Sequence, residues 1–462
     1  MKIRDCRRVV VGCAMSAMAM GMVVPNMARA GEVVEQGRRV DGPGAVLSQR
    51  QRPEPVNRAL EERLVDLLPR LMREVGLDMW LVINREYAED PVYLTLVPEP
   101  VFAARRTTTL VFHDRGDEEG IERLTVSRYP LGELYDAVWE GGDLEEQWVR
   151  LAEVIAERDP QRIGINVSRH WPVADGLTAS LRDRLEESLG RDLAERLVSA
   201  EALAIRWLET RSSVEQESYP HIVALARGVI SEAFSNRVIT PGVTTTEDVA
   251  WYIRQRFADL DLPAWFMPDV DIQRLGTECE EGSPFCGDTD VVIQRGDILH
   301  TDVGVCYLRL CTDTQEMGYV LRQGEEEAPD ELRRALEAGN RWQDLLTDEF
   351  QEGRTGNETL AAARTAAEQA GIAVSVYSHP IGFFGHAPGP TIGMWDNQGD
   401  TPVRGDWKLH ADTAYAIEGN NMVQLSAWGG QWVQIKLEQS ALFDGQKVQY
   451  LAGRQTDWHL VH

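Results

Sequence analysis

The sequence predicts two domains in series: an α/β domain over residues 56–207 and an α+β domain over 208–462 with an internal pseudo-two-fold repeat. Three observations carry this reading. A chain of 462 residues exceeds what one ordinary hydrophobic core organises. Strand patterns alternate with helix patterns up to Trp207, then give way to long helices followed by strands. The string G-x-T-x-x-E-x-x-A occurs twice, at Gly242–Ala250 and at Gly353–Ala361.

The elements follow in order. Lys2, Arg4, Arg7 and Arg8 form a basic start, Val9 to Val24 is apolar, and Ala28-Arg29-Ala30 closes the segment in an A-x-A pattern. Residues 1–30 therefore read as a removed secretory signal, with a periplasmic or secreted mature chain. Residues 31–55, rich in Gly, Pro and Gln, read as a flexible lead-in. Leu60–Glu74 has the spacing of an amphipathic helix, and Met79–Ile83 that of a buried strand. Further strands are expected at Thr107–Phe112, Leu124–Ser127 and Ile163–Val167, with helices at Leu144–Glu157 and Leu177–Leu189.

Beyond Ser213, helices are expected in two pairs. The first is Ser213–Ile239 with Thr246–Leu260, and the second is Glu331–Phe350 with Glu358–Ala370. The Thr-x-x-Glu of each repeated string (Thr244/Glu247 and Thr355/Glu358) reads as a capping box, whose hydroxyl and carboxylate satisfy free N–H groups at a helix start. Strands are expected at Val291–Thr312, Tyr415–Glu418 and Met422–Leu442. Gly429-Gly430 reads as a two-residue hairpin turn in the last of these.

The formal charge is −27, and removing residues 1–30 leaves about −31. Such a surface repels nucleic acid and anionic lipid, so neither is an expected partner. No internal run of 18 apolar residues exists, so no stable membrane insertion is expected after signal removal. Four cysteines remain: Cys279, Cys286, Cys306 and Cys311. Export permits disulfides, and 279–286 and 306–311 are the local pairings among three possible connectivities. Free buried thiols are the alternative. A four-cysteine zinc site would need closer spacing within each pair.

Chemistry concentrates in the second domain. Asp302 and Asp313 flank Val303–Thr312; a hairpin turning at Tyr307–Leu308 would set them opposite one another, about 5 Å apart on one face. Buried carboxylates in apolar strands are costly unless paired or bound to metal. His379 and His386 lie in His-Pro-Ile-Gly-Phe-Phe-Gly-His, where Gly382 and Gly385 permit close backbone approach. Glu418 closes the apolar run Ala414–Ile417. Along Trp432–Glu438, Val433, Ile435 and Leu437 share one face, and Gln434, Lys436 and Glu438 the other.

The order Asp, Asp, His, Glu, Glu resembles the pita-bread (creatinase/aminopeptidase) metallopeptidase family, closest in layout to aminopeptidase P and prolidase. The resemblance covers about residues 206–462, and the first domain is similar to the creatinase N-terminal type found in the proline-directed members. It implies that Asp302, Asp313, His379, Glu418 and Glu438 ligate two divalent ions, Mn²⁺ first, with Co²⁺ or Zn²⁺ as alternatives. It also implies that a hydroxide bridges the ions, that Glu418 is the base and that His386 is a catalytic histidine.

There are departures from the family pattern. Phe285 and Pro284 stand where an upstream His is usual, Ser375 where a His often precedes the metal His, Ala387 where an acid follows the catalytic His, Gly419 in place of Pro, and Lys436 in place of Arg. His300, two residues before Asp302 and so on the same strand face, is the residue expected to replace the upstream His. The resemblance further implies a short peptide substrate, with proline at its second position, and a homodimer or higher homo-oligomer. A non-peptidase C–N hydrolase and a catalytically degenerate binding protein remain the other readings.

Overall fold

Met79-Trp80-Leu81-Val82-Ile83 is apolar at every position because both faces of its strand are covered. In the computed structural model, whose residues 46–277 and 290–462 are described, this run forms the centre of strand β1 (Met79–Arg85). β1 pairs antiparallel with β2 (Thr107–Asp114) and parallel with β5 (Ile163–Ile165). β3 (Ile121–Ser127), β4 (Asp136–Ala137) and β6 (Leu197–Ser199) complete a six-stranded sheet in the order β4-β3-β2-β1-β5-β6. Alternate residues of β1 serve different cores. Trp80 and Val82 pack with the side chains of α1 (Pro53–Glu62), α2 (Leu68–Val75) and α6 (Glu201–Glu209). Met79, Leu81 and Ile83 pack with α4 (Leu144–Arg158) and α5 (Ala179–Ala194). A short helix, α3 (Tyr93–Leu96), joins the first of these cores. α1 and α2 form one rod joined by a π-helical turn, Arg63–Leu67. The rod begins earlier than the apolar spacing predicts, because Pro53 is suited to a first helical position.

The second half contains two helix pairs: α7 (Ser213–Ala233) with α8 (Thr246–Asp259), and α9 (Asp330–Thr347) with α10 (Gly356–Gln369). The second capping box stands as predicted, with Thr355 and Glu358 bonding each other's main chain. The first is displaced by one residue: Thr245 and Asp248 form the box at α8. Thr244 instead accepts from Thr240 N at 2.9 Å, which closes the preceding turn. α7 and α8 pack into one apolar core and α9 and α10 into another. A nine-stranded sheet draws on both.

Its main path is β12-β14-β15-β11-β8-β7, with β13, β16 and β17 paired at its sides. The strands are β7 (Asp269–Gln273), β8 (Ile298–Val303), β11 (Thr314–Val320), β12 (Val374–Val376), β13 (His379–Ile381), β14 (Thr413–Leu425), β15 (Gln431–Phe443), β16 (Val448–Tyr450) and β17 (His459–Val461). Two short strands, β9 (Cys306–Tyr307) and β10 (Leu310–Cys311), form the tip of the β8/β11 hairpin.

Two turns differ from the sequence reading. The β8/β11 hairpin turns at Leu308 and Arg309, both at positive φ (52° and 66°), not at Tyr307–Leu308. Asp302 is therefore opposite Gln315 instead of Asp313. The β14/β15 connection occupies Ser426 to Gly430, including a 3₁₀ turn, so Gly429-Gly430 is only its end. Cys306 and Cys311 face each other across the hairpin tip and are disulfide-bonded. The expected secretory segment, residues 31–45, and Cys279, Pro284, Phe285 and Cys286 lie outside the described residues. Among the described residues no helix is long and apolar enough to cross a membrane.

Arg63 links the α1–α2 rod to α7. Its guanidinium is buried, donates to Glu215 at 2.8 Å and to Thr210 O at 2.6 Å, and stacks 4.2 Å over Trp207. Removing one partner of a buried pair costs about 3–5 kcal/mol, and Arg211, 3.6 Å from Glu215, places the expected loss at the lower end of that range. Arg63→Ala should lower the urea midpoint by a corresponding amount. A loss below ~1 kcal/mol, the scale of an exposed pair, would show that the pair does not anchor the rod.

Candidate metal centre

One row of side chains crosses five strands in direct register. Asp269 on β7 is opposite Asp302 on β8, Asp302 opposite Gln315 on β11, Gln315 opposite Glu438 on β15, and Glu438 opposite Glu418 on β14. Cross-strand partners leave the same face of a sheet, so all five project toward one space. Asp313, two residues before Gln315, emerges on that face too. His379 arrives on β13, paired to β14 at Ala416. The structure thus gathers Asp302, Asp313, His379, Glu418 and Glu438 at a cleft of about 210 Å³.

Three groups of potential ligand atoms lie mutually within 4.8 Å: Asp302/Asp313/Glu438, His379/Glu418/Glu438 and Asp313/His379/His386. Glu438 joins the first two groups, so it stands between two adjacent ion positions. His379 Nε2 is 3.7 Å from Asp313 Oδ2, 3.6 Å from Glu418 Oε2 and 3.8 Å from Glu438 Oε1. These separations are too long for hydrogen bonds but suit atoms sharing a cation about 2.1 Å from each. His379 Nε2, Asp302 Oδ1 and Glu438 Oε1 are buried without a hydrogen-bond partner. Such groups are expensive to bury unmet. The other ring nitrogen, Nδ1, lies 3.0 Å from Pro380 O, which holds the proton there and turns the Nε2 lone pair toward the carboxylates. The donor set fits a pair of divalent cations.

The electrostatics agree. Burial pushes the Asp302 carboxyl well above its ordinary value, and the charges of Asp313, Asp269 and Glu418 add to that push. Asp313 is raised well above its ordinary value by burial and Glu418, against the opposing charge of His379. Glu438 is raised by burial and then by Asp313, Glu418 and Asp302. Burial works against a charged His379, but Glu418 and Asp313 outweigh it and raise its pKa. Protein groups alone therefore leave the cluster short of positive charge.

His386 sits at the mouth, 58% exposed, with Nε2 3.8 Å from Asp313 Oδ2. Burial, His379 and Arg404 lower its pKa to about 4, so it is neutral near pH 7. Its ring packs 4.7 Å from His379 and 5.1 Å from Trp265. A Cβ at Gly385 would lie 2.1 Å from the Trp265 ring, which accounts for a glycine next to His386.

His300 shares the face, as predicted for its strand position, but both ring nitrogens point to protein groups. Nε2 is 3.0 Å from Gln315 Oε1, and Nδ1 is 3.5 Å from Asp271 Oδ2. Asp271 also meets Lys436 Nζ at 2.7 Å. Burial would raise the Asp271 carboxyl, but His300 and Lys436 bring it down to about 2. Gln315 Nε2 donates to Glu418 Oε1 at 2.9 Å and Glu438 Oε2 at 3.2 Å. A polar chain thus runs from Lys436 through Asp271, His300 and Gln315 to two of the carboxylates. Gly419 has its own reason: a Cβ there would stand 2.5 Å from Ser375 O.

The sequence reading missed Gln315, Asp269, Asp271, Trp265 and Arg404. Signals existed for three of them: Gln315 follows Asp313 at strand spacing, and Asp269-Val-Asp271-Ile alternates polar with apolar residues.

Residues 217–430 match the model of metallopeptidase family M24. Among solved structures, the X-Pro aminopeptidase of Thermotoga maritima is similar at 18% identity over 85% of this chain and 100% of that chain, with a TM-score of 0.61. A dipeptidase of Pyrococcus horikoshii is similar at 18% identity over 87% and 100%, with a TM-score of 0.58. A His350Ala form of Escherichia coli aminopeptidase P is similar at 11% identity over 89% and 97%, with a TM-score of 0.53. No curated protein matches. The fold is the pita-bread fold, and residues 217–430 are an M24 metallopeptidase domain. The match over residues 217–430 supports a peptidase hydrolase.

A carboxyl with a raised folded pKa holds its proton longer folded than unfolded. Its contribution to stability falls as pH rises from the unfolded value, near 4, through the folded one. Asp302, Asp313 and Glu438 should therefore destabilise the metal-free protein at pH 7, and bound cations should reverse this. Glu438→Gln should raise the melting temperature of metal-free protein at pH 7 and abolish most of the rise that added Mn²⁺ gives wild type, about 2.7 kcal/mol at a hundredfold excess over Kd. A variant that keeps the full Mn²⁺ response would remove Glu438 from the site.

Proposed function

We propose that the protein hydrolyses the N-terminal peptide bond of short peptides, with proline favoured at the second position, using two divalent ions held by Asp302, Asp313, His379, Glu418 and Glu438. The observation that carries this is the His379 nitrogen, buried without a partner and facing three carboxylates at 3.6–3.8 Å. A bound pair of such ions lowers the pKa of water and polarises a carbonyl. The ligands are rich in oxygen with one imidazole, which suits Mn²⁺ and accommodates Co²⁺ or Zn²⁺.

The remaining work belongs to side chains. Glu418 takes the proton of the attacking water. Gln315 fixes the Glu418 carboxylate by donating to its Oε1. His386, neutral at pH 7 and at the cleft mouth, donates a hydrogen bond to the oxygen that gains charge as the carbonyl is attacked. His300 acts through Gln315, whose amide it holds in the orientation that donates to Glu418 and Glu438. A catalytic site of this kind needs its groups fixed before substrate arrives.

The Cys306–Cys311 disulfide supports an oxidising compartment, in keeping with export. A different C–N hydrolase is the second reading. It draws support from Ser375, which lines the cleft at a position where proline-directed relatives are expected to carry His.

A panel of Xaa-Pro and Xaa-Ala dipeptides and tripeptides with added Mn²⁺ tests the proposal. We expect turnover by wild type and a loss of at least about a thousandfold in kcat/KM for Asp313→Ala. His386→Ala should lose about a hundredfold or more in kcat with little change in KM. His300→Ala should lose about tenfold, and unchanged turnover would end the role given to that residue. Wild type that hydrolyses acyclic or cyclic ureas and no peptide would favour the second reading, and Mn²⁺ binding without turnover of either would indicate a binding protein.

A further inference from the structure

A wide groove of about 920 Å³ adjoins the metal cleft. Helix α10 and strand β12 help to form it, and Ser375 and Asn420 line both spaces. These two are cross-strand partners on β12 and β14, and Asn420 lies two residues beyond Glu418. The groove therefore opens off the same sheet face that carries the carboxylates.

β12 ends its sheet path. Met422 N donates to Ala373 O at 3.3 Å and Tyr377 N to Glu418 O at 3.1 Å, so the odd-numbered residues of this segment bond toward β14. The main-chain groups of Val374 and Val376 point the other way. Val376 is met there by the side-chain amide of Gln398, which accepts from Val376 N at 2.9 Å and donates to Val376 O at 2.8 Å. That is the bonding of a neighbouring strand, supplied by a side chain. The outward N–H and C=O of Val374, which lines the groove, are met by no described residue. An open strand edge of this kind binds extended peptide through main-chain hydrogen bonds.

We propose that this edge is a peptide subsite: the part of a substrate remote from the scissile bond lies extended beside β12, pairs with Val374 and places side chains in the groove against α10. The occupant follows from continuity with the metal cleft through Ser375 and Asn420. The inference rests on the peptidase reading and narrows its substrate class. At about 3.3 Å per residue, two to four residues beyond the scissile pair span this edge, so peptides of about four to six residues are preferred to dipeptides.

Two substitutions test it without touching the residues assigned to chemistry. Thr365→Trp, on the exposed face of α10, narrows the groove. Val374→Pro removes an outward N–H and no bond to β14, a place where edge strands tolerate proline. Kinetics of the Mn²⁺-loaded enzyme would compare an Xaa-Pro dipeptide with a hexapeptide of the same N-terminus. Wild type should favour the hexapeptide about tenfold or more in kcat/KM. Each variant should raise the hexapeptide KM about tenfold and leave dipeptide kcat/KM within about twofold. A hexapeptide-to-dipeptide ratio unchanged in both variants would overturn the proposal. If no peptide is cleaved, the peptidase reading fails, and the groove is judged by calorimetry of the hexapeptide on Asp313→Ala protein. Binding that Thr365→Trp weakens about tenfold supports the subsite, and absent or unweakened binding overturns it.

Discussion

Carboxylates gathered on one sheet face, with Asp313 and Glu438 deeply buried, are the constraint around which the second half of this protein is arranged. Like charges at such separations in a poorly solvated cleft repel strongly, and each buried anion also loses hydration. The protein supplies partial relief only. His379 faces three of them beyond hydrogen-bond range, and Gln315 donates to two. The nearby cation Lys436 is committed to Asp271. Bound cations would supply the balance that protons otherwise provide, and the proposed chemistry follows from that deficit.

Register is what creates the cluster. A slip of one residue in any of the five strands would turn that strand's contribution to the far face, where apolar residues meet the helix pairs. The helices thus act on the site indirectly. By covering Ile417, Val433, Ile435 and Leu437, the core around α9 and α10 fixes which face of β14 and β15 carries Glu418 and Glu438. The loop between the two histidines is held from the other side, because Phe383 lies 4.8 Å from both Arg63 and Arg211 and packs against the core of the first sheet. The disulfide clasps the hairpin that carries Asp302 and Asp313.

Much of this was legible from residue order. Buried strands announce themselves by unbroken apolar runs, as at Met79–Ile83, and helix starts by capping residues, as at Thr355. Glu438 was assigned to the site face by simple alternation against Val433, Ile435 and Leu437. What failed was local geometry. The threonine run 244–246 offers competing caps, and the choice of Thr245 depends on the turn that Thr244 closes. The hairpin at Leu308-Arg309 was misplaced because both residues adopt positive φ without glycine or asparagine to signal it. That slip hid Gln315, which only the true register puts between Asp302 and Glu438. Trp265 reaches His386 through tertiary packing and Arg404 acts on it through its charge, and no spacing rule exists for either.

Crystals grown or soaked with Mn²⁺, with diffraction recorded on both sides of the manganese absorption edge, test the central claim most directly. Two anomalous peaks should appear about 3.5–4 Å apart, with Glu438 between them and the nitrogen of His379 on one. A map with no anomalous density among these side chains, in protein that still folds, would contradict the account.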